Sequence, residues 1–372
     1  MIEELHKTWN IQNTHIAGDE FTGYESVYDQ LNFTKEDYDA DPEGIIDSVF
    51  SIYRSINLVP IVYYTEQGLI NAVRDFSHSK YNTVQSNVLG LGNNAGQTIN
   101  RFLFPNMMTA EPKGRGSNSL RDRFYNDAKL RRAIRICFEF RDGNNLVHPT
   151  AMRRALELVT GENVTNFKAQ NAKAIVEYLC PVLWGNVYDY SAGYGGRLLG
   201  ITSSNMRYNY VGIDPNTETV KYLNYLQQII QEATGVQSEI YCTTSEEYTP
   251  TSTDLAFSSP PYFNLEKYTD EPTQCMVRYR SLDEWFDGYA EPTIKNIYKG
   301  LNNDGILATN IADYKSYGNK EYEVVERWIA TAEKLGFKHV ETVKMMLNTR
   351  PGVGNNKTQG REKFEGVYVF KK

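Results

Sequence analysis

The chain is short of cysteine and histidine, has no long apolar run and carries too little positive charge to be basic overall. Its four cysteines, Cys137, Cys180, Cys242 and Cys275, stand far apart and form no Cys-x-x-Cys pair, so neither a zinc knuckle nor a disulfide framework is expected. The five histidines are equally scattered. His148 and His339 read as structural or surface residues, and no metal is expected. No stretch reaches the ~18 consecutive apolar residues of a membrane-spanning helix, and the polar, acidic amino terminus does not read as a signal peptide. A reducing cytoplasm is the expected compartment. The net charge of -7 offers no global attraction to a polyanion, so any such contact must come from a local cluster of cations.

What is present is enough for two domains. The 372 residues exceed one domain of ~100 to 200 residues, and the patterning changes near His148-Pro149. Residues 1–150 hold short helical patterns, one of them capped by Thr65 and carrying Leu69, Val73 and Phe76. Residues 151–372 alternate strand and helix as a doubly wound sheet does.

Charge is unevenly placed in the first region. Glu36, Asp37, Asp39, Asp41, Glu43 and Asp47 lie close together, whereas residues 101–141 carry Lys113, Arg115, Arg121, Arg123, Lys129, Arg131, Arg132, Arg135 and Arg141. Residues 90–116 read as a long Gly- and Asn-rich loop. Residues 119–140 predict one helix, with Phe124, Ala128, Ala133, Ile134 and Cys137 inward and Arg121, Lys129, Arg132 and Arg135 outward. That outer face is either a solvated charged surface or a phosphate-binding one. Residues 350–361, which begin at Arg350, form a polar glycine-rich loop between two late strands, able to enter a groove or simply to join the strands.

Three strand ends carry the chemistry. In the first, Val187-Tyr188-Asp189-Tyr190 runs into Ser191-Ala192-Gly193-Tyr194-Gly195-Gly196-Arg197. Glycine there permits positive φ and close approach of a ligand to the backbone. About twenty residues on, the spacing of a ribose-binding acid, the strand Tyr208-Asn209-Tyr210-Val211-Gly212-Ile213 ends at Asp214. A helix follows, with Val220, Leu223, Leu226 and Ile230 on one face, Asn216 or Thr217 as cap and Gly235 as stop. The third strand, Asp254-Leu255-Ala256-Phe257, is closed by Ser259-Pro260-Pro261-Tyr262. Two prolines bring no N–H to a ladder, so the chain must leave the sheet and present a hydroxyl, carbonyls and an aromatic face at the strand's carboxyl end.

On these residues the chain resembles the amino-methyltransferases of DNA, whose catalytic signature is Asp, Ser or Asn followed by Pro-Pro-Tyr or Pro-Pro-Phe. The resemblance covers about residues 164–372. It includes a helix after Ser281, the turn Leu301-Asn302-Asn303-Asp304-Gly305, the strand Ile306-Leu307-Ala308-Thr309-Asn310-Ile311 and a closing strand Phe364 to Phe370. It implies a Rossmann-like α/β fold with a mostly parallel doubly wound sheet, to which the patterning of residues 1–150 adds a mainly helical amino-terminal region. The cofactor it implies is S-adenosylmethionine (SAM), and the partner is DNA in a prokaryotic or phage-infected cell.

By residue, the resemblance assigns Phe167, Asp189, Ser191, Ala192, Gly193, Gly195, Asp214 and Ser245 to the cofactor, and Ser259, Pro260, Pro261 and Tyr262 to catalysis. Phe263 is a candidate second wall for the target base, and the charge pattern, not the resemblance, makes Arg121, Arg132 and Arg350 candidate substrate contacts. Arg197 either meets the cofactor or faces solvent. Recognition falls mainly to the amino-terminal region, because the interval from Asp214 to Asp254 holds only a helix and a strand.

The chemistry follows from the side chains. An exocyclic amine on a base is a poor nucleophile until its hydrogens are held by two acceptors, and the Ser259 hydroxyl and the Pro260 carbonyl can serve as those. Tyr262 would stack on a flipped base. Methylation at a ring carbon would need a Pro-Cys nucleophile, and Cys180-Pro181 has the opposite order. In the family serine leans toward N4 of cytosine and aspartate toward N6 of adenine. Two alternatives stand beside DNA: a SAM enzyme acting on RNA, protein or a small molecule, and a silent binding or assembly subunit.

Overall fold

The computed structural model describes residues 1–11, 18–21, 30–112, 118–140, 145–161, 163–315, 321–347 and 363–372. They divide into two compact units. The first gathers Met1–Ala72, Thr98–Thr165 and Glu266–Tyr268, and the second gathers Val73–Gln97, Asn166–Leu265 and Thr269–Lys372. The border near residue 150 is thereby corrected: helix Pro149–Thr160 lies in the first unit, and residues 73–97 lie in the second.

The first unit is mainly helical, with one short antiparallel pair of β1 (Glu20–Phe21) and β2 (Tyr63–Tyr64). Helix Pro42–Ile56 starts at proline, where a missing N–H costs nothing. Asp41 caps it through the Gly44 amide at 3.0 Å, and Asn57 ends it in the left-handed conformation. Its buried Tyr53 donates its hydroxyl to the Val147 carbonyl at 2.6 Å.

Residues 119–140 form two helices instead of one, Leu120–Tyr125 and Asp127–Glu139. Asn126 leaves helical geometry at ψ 116° and its side chain caps the second helix through the Lys129 amide at 3.0 Å. The break rotates the inner face, so Leu130 is buried and Ala128 is exposed. Residues 90–116 are not one loop either, for they contain helices Gln97–Leu103 and Pro105–Thr109.

Several charges of the first unit pair with each other. Arg135 pairs with Glu43 at 2.8 Å, Arg131 with Asp47, and Arg54 with Asp127 at 2.8 Å. Arg123 is buried, donating to the carbonyls of Asn118 and Leu156 and to Asn163 Oδ1 at 2.8 Å.

The second unit is built on a nine-stranded sheet. Its strands are β3 (Val84–Gln85), β4 (Val88–Leu89), β5 (Trp184–Asp189), β6 (Arg207–Asp214), β7 (Ser238–Cys242), β8 (Thr253–Ser258), β9 (Leu301–Asn310), β12 (Lys338–Met346) and β13 (Phe364–Lys371); a separate hairpin pairs β10 (Tyr314–Lys315) with β11 (Glu321–Tyr322). The spatial order is β3-β4-β12-β13-β9-β8-β5-β6-β7. The run β7-β6-β5-β8-β9 is parallel, and β13 is antiparallel to both its neighbours. This is the mostly parallel, doubly wound sheet expected of a Rossmann-like methyltransferase fold.

The chain runs outward from β5 to β6 and β7, then returns to β8 on the other side of β5. Order reverses between β5 and β8, the place where such sheets bind ligands. Leu255, Ala256 and Phe257 of β8 are all fully buried, as a strand covered on both faces must be. Helix Thr217–Thr234 packs on β6 and β7, capped by Asn216 through the Thr219 amide at 3.0 Å and stopped by Gly235 at φ 75°. The helix expected after Ser281 is present, but its middle, Phe286–Ala290, is a π-turn between Leu282–Trp285 and Glu291–Gly300.

Candidate active site at the strand tips

The glycine loop after β5 is held by backbone geometry. Gly193 and Gly195 take φ values of 55° and 71°, which side chains resist. A Cβ on Gly196 would lie 1.9 Å from the Phe167 carbonyl oxygen, so only glycine allows that approach. The buried Ala192 donates its amide to the Ile213 carbonyl at 2.8 Å, and Asn166 Nδ2 donates to the Tyr194 carbonyl at 2.9 Å. The loop is thus stitched both to β6 and to the segment before helix Ala169–Leu179.

Asp214, at the tip of β6, accepts the amides of Gly193 at 3.0 Å and Asn216 at 2.9 Å. Burial pushes its carboxyl up to about 6, against the two amides that pull it down. A carboxylate offers about four lone-pair sites, so two remain for the hydroxyls of a ligand.

Asp189 has another role than the cofactor contact expected of it. It is fully buried and accepts Arg197 Nε at 2.9 Å, the Tyr210 hydroxyl at 2.8 Å, the Ser258 hydroxyl at 2.6 Å and the Ser191 amide at 3.3 Å. With all its acceptor sites engaged by its own chain, it binds the three strand ends together. Arg197 is likewise buried, not solvent-facing. Besides Asp189 it donates to the Ser191 carbonyl and, from Nη1, to Ser259 Oγ at 3.4 Å. Its guanidinium also lies over the ring of Phe167, 5.5 Å from the centroid, and that ring meets Phe257 edge-on at 5.6 Å.

The proline turn places its groups at the tip of β8. Ser259 is partly exposed and donates its hydroxyl to Asn310 Oδ1 at 3.1 Å. Pro260 is buried, whereas Pro261 and Tyr262 are partly exposed. The Tyr262 hydroxyl accepts the Ala312 amide at 3.1 Å, and its ring lies 4.6 Å from that of Tyr314, tilted by 56°. Phe263 is not an open second wall. It is buried in the core with its ring edge-on to Tyr322 at 5.2 Å.

At the end of β7, Ser245 is buried with its hydroxyl 3.2 Å from that of Thr293. Beside it Thr244 Oγ1 is buried with no hydrogen-bond partner. Ser191 donates its hydroxyl to the Tyr190 carbonyl at 2.7 Å and stands 3.2 Å from the Tyr289 hydroxyl.

Of the expected substrate contacts, Arg121 and Arg132 are exposed residues of the first unit, Arg121 having its guanidinium 5.8 Å from the Tyr125 centroid. Arg350 lies outside the described residues. Burial pushes the Cys180 thiol up to about 11, which removes the thiolate a nucleophile needs. Among the described residues no group of three His, Cys, Asp or Glu could hold a metal, and no helix is long and apolar enough to cross a membrane.

Sequence reasoning missed the burial of Arg197, the partners Asn310 and Tyr314, and the unpaired hydroxyl of Thr244. Position could have found two of them: Arg197 follows the glycines directly, and Asn310 ends the strand next to the proline strand.

No protein-family model matches the chain, and no curated protein does. Among solved structures it is similar to 1,6-didemethyltoxoflavin-N1-methyltransferase of Burkholderia thailandensis, at 14% identity over 55% of this chain and 77% of that one, with a TM-score of 0.37. A SAM-dependent O-methyltransferase of Thermotoga maritima gives 13% identity, 58% and 69% coverage and a TM-score of 0.37. TrmN of Thermus thermophilus gives 13% identity and a TM-score of 0.35, with 55% of this chain spanning 48% of that one. Likenesses of this level leave substrate and site to be argued from the residues themselves.

Proposed function

We propose that the protein is a SAM-dependent methyltransferase acting on the exocyclic amine of a DNA base, N4 of cytosine ahead of N6 of adenine. One observation carries the proposal: Ser259-Pro260-Pro261-Tyr262 leaves the sheet at the switch point, with the Ser259 hydroxyl tied through Arg197 to the glycine loop after β5. The residues present fit the cofactor. Asp214 has acceptor sites for ribose hydroxyls, Gly193 and Gly195 give backbone access, and the unpaired Thr244 Oγ1 beside Ser245 suits an exocyclic amine or ring nitrogen. When bound, the cofactor would supply an electrophilic methyl group and leave as the neutral thioether, with the proton lost by the methylated nitrogen passing to water, so no covalent enzyme intermediate is required.

The chain's own part is to make the amine nucleophilic. Ser259 Oγ and the Pro260 carbonyl accept its two hydrogens, which favours a pyramidal nitrogen with a free lone pair. Tyr262, held by the Ala312 amide and Tyr314, provides the aromatic surface for the base. Stacking of this kind is worth roughly 1 to 3 kcal/mol per base.

The test is tritiated SAM with unmodified DNA, followed by nucleoside digestion and mass spectrometry. N4-methylcytosine or N6-methyladenine should appear and fall to a small residual level in Ser259→Ala and Tyr262→Ala. Label in RNA or protein alone would sink the DNA reading. A protein or small-molecule substrate is favoured by one observation: Arg131 and Arg135 pair with Asp47 and Glu43, so fewer cations of the first unit are left for phosphates. Calorimetry without SAM binding would leave only the silent-subunit reading.

A further inference from the structure

The end of β9 lies directly beside the proline turn. Thr309 is in register with Ser258, which sets the next residues, Asn310 and Ser259, side by side. Their side chains meet at 3.1 Å, between Ser259 Oγ and Asn310 Oδ1. An amide oxygen carries no hydrogen, so the serine must donate.

The orientation of the Asn310 amide is fixed from its other end. Nδ2 donates to the Gly366 carbonyl on β13 at 3.1 Å. A carbonyl faces the nitrogen and a hydroxyl faces the oxygen, and a flipped amide would set its own oxygen against the Gly366 carbonyl.

This matters for the chemistry of a hydroxyl. Ser259 has one hydrogen and two lone pairs, and it turns to suit its surroundings. If that hydrogen were free it would seek the lone pair of an incoming amine, the same pair that must attack the methyl group. With the hydrogen held by Asn310, Oγ presents acceptor capacity only. Arg197 Nη1 approaches it at 3.4 Å, the long limit of a hydrogen bond, and leaves the second lone pair for the substrate.

We infer that Asn310 is a positioning residue that holds the Ser259 hydroxyl as an acceptor for the substrate amine, acting through Ser259 and not on the substrate itself. The inference rests on the methyltransferase reading above. In the full-length protein, Asn310→Leu should lower kcat for methyl transfer about 10- to 100-fold, the scale of a misplaced reacting group, with KM for SAM and DNA within about 2-fold. In a Ser259→Ala background the same change should add less than about 2-fold, because the two residues act as one unit. A full-strength effect of Asn310→Leu in that background, or undiminished kcat in the single variant, overturns the inference.

A second measurement does not depend on activity. The side-chain amide signals of Asn310 in a ¹⁵N spectrum, identified by their loss in Asn310→Leu, should move on Ser259→Ala. Unmoved signals would refute the contact even if DNA proves not to be the substrate. Absence of any methylated product by the wild-type protein, with the signals moving as expected, would fault the functional reading and not the contact.

Discussion

Replacing Asp189 by asparagine keeps the shape of the side chain and removes its charge. Arg197, itself buried, would then have no counter-charge at 2.9 Å. The asparagine amide also cannot suit the site in either orientation. Oδ2 faces Arg197 Nε and the Tyr210 hydroxyl, while Oδ1 faces the Ser258 hydroxyl and the Ser191 amide. Whichever end carries the NH2 group meets a partner that can only donate, Arg197 Nε at one end or the Ser191 amide at the other. Breaking a buried pair by removing one partner costs about 3 to 5 kcal/mol. At roughly 2 to 4 °C per kcal/mol, the scale for a unit of some 150 to 250 residues, Asp189→Asn should lower the melting temperature by about 6 to 20 °C. Urea unfolding of the full chain followed by circular dichroism measures the loss, with an unchanged slope against urea confirming that stability alone moved. A loss under about 1 kcal/mol would refute the argument, since Arg197 would then be shown to need no partner. The double variant Asp189→Leu with Arg197→Met removes both charges and should be more stable than Asp189→Asn alone.

Other expectations concern packing, pH and charge. A Cβ on Gly200 would stand 2.1 Å from the Ala169 carbonyl oxygen and 2.8 Å from Ala172 Cβ, so Gly200→Ala must push two helices apart and should cost about 1 to 3 kcal/mol in urea unfolding. Asp214 holds its proton to about 6 in the fold, against 3.8 ordinarily. The folded chain therefore binds more protons between those values, and this group's contribution to stability falls as pH rises through that window. SAM affinity should move the other way, weakening in calorimetry as pH falls through about 6 because a protonated Asp214 loses acceptor capacity; in Asp214→Asn this step should vanish. If Arg121 and Arg132 touch phosphates, replacing both by alanine should reduce the slope of log affinity against log salt by about 2, and an unchanged slope would remove them from the DNA-contacting face.

Much of the second unit was legible because its signals are local. Leu255-Ala256-Phe257 before two prolines can only be a buried strand that stops, and Asn216 and Gly235 bracket a helix by chemistry that acts within four residues. The glycine loop and Asp214 were readable for the same reason. What escaped depends on pairing across the sequence. Asp189 reads as a ligand-facing acid at a strand end, and only the approach of Tyr210, Ser258 and Arg197 turns it inward. Phe263 follows Tyr262 and looks like a partner ring, yet Tyr322 draws it into the core. The single helix expected over residues 119–140 overlooked that Asn126 caps as readily as it continues. The π-turn at Phe286–Ala290 leaves no mark on a pattern of apolar spacing.

The hairpin β3–β4 has a consequence for how the protein is made. It seals the β12 edge of the sheet, pairing Val88 and Leu89 with Lys344 and Met345. In translation Leu89 leaves the ribosome 249 positions ahead of Lys338, the first residue of β12 (338 − 89). At synthesis rates of about 5 to 20 residues per second the hairpin waits roughly 12 to 50 s for its neighbour. During that interval the nascent chain must hold a short, unpaired β-ribbon in reserve. The strand that receives it, β12, is made long after it.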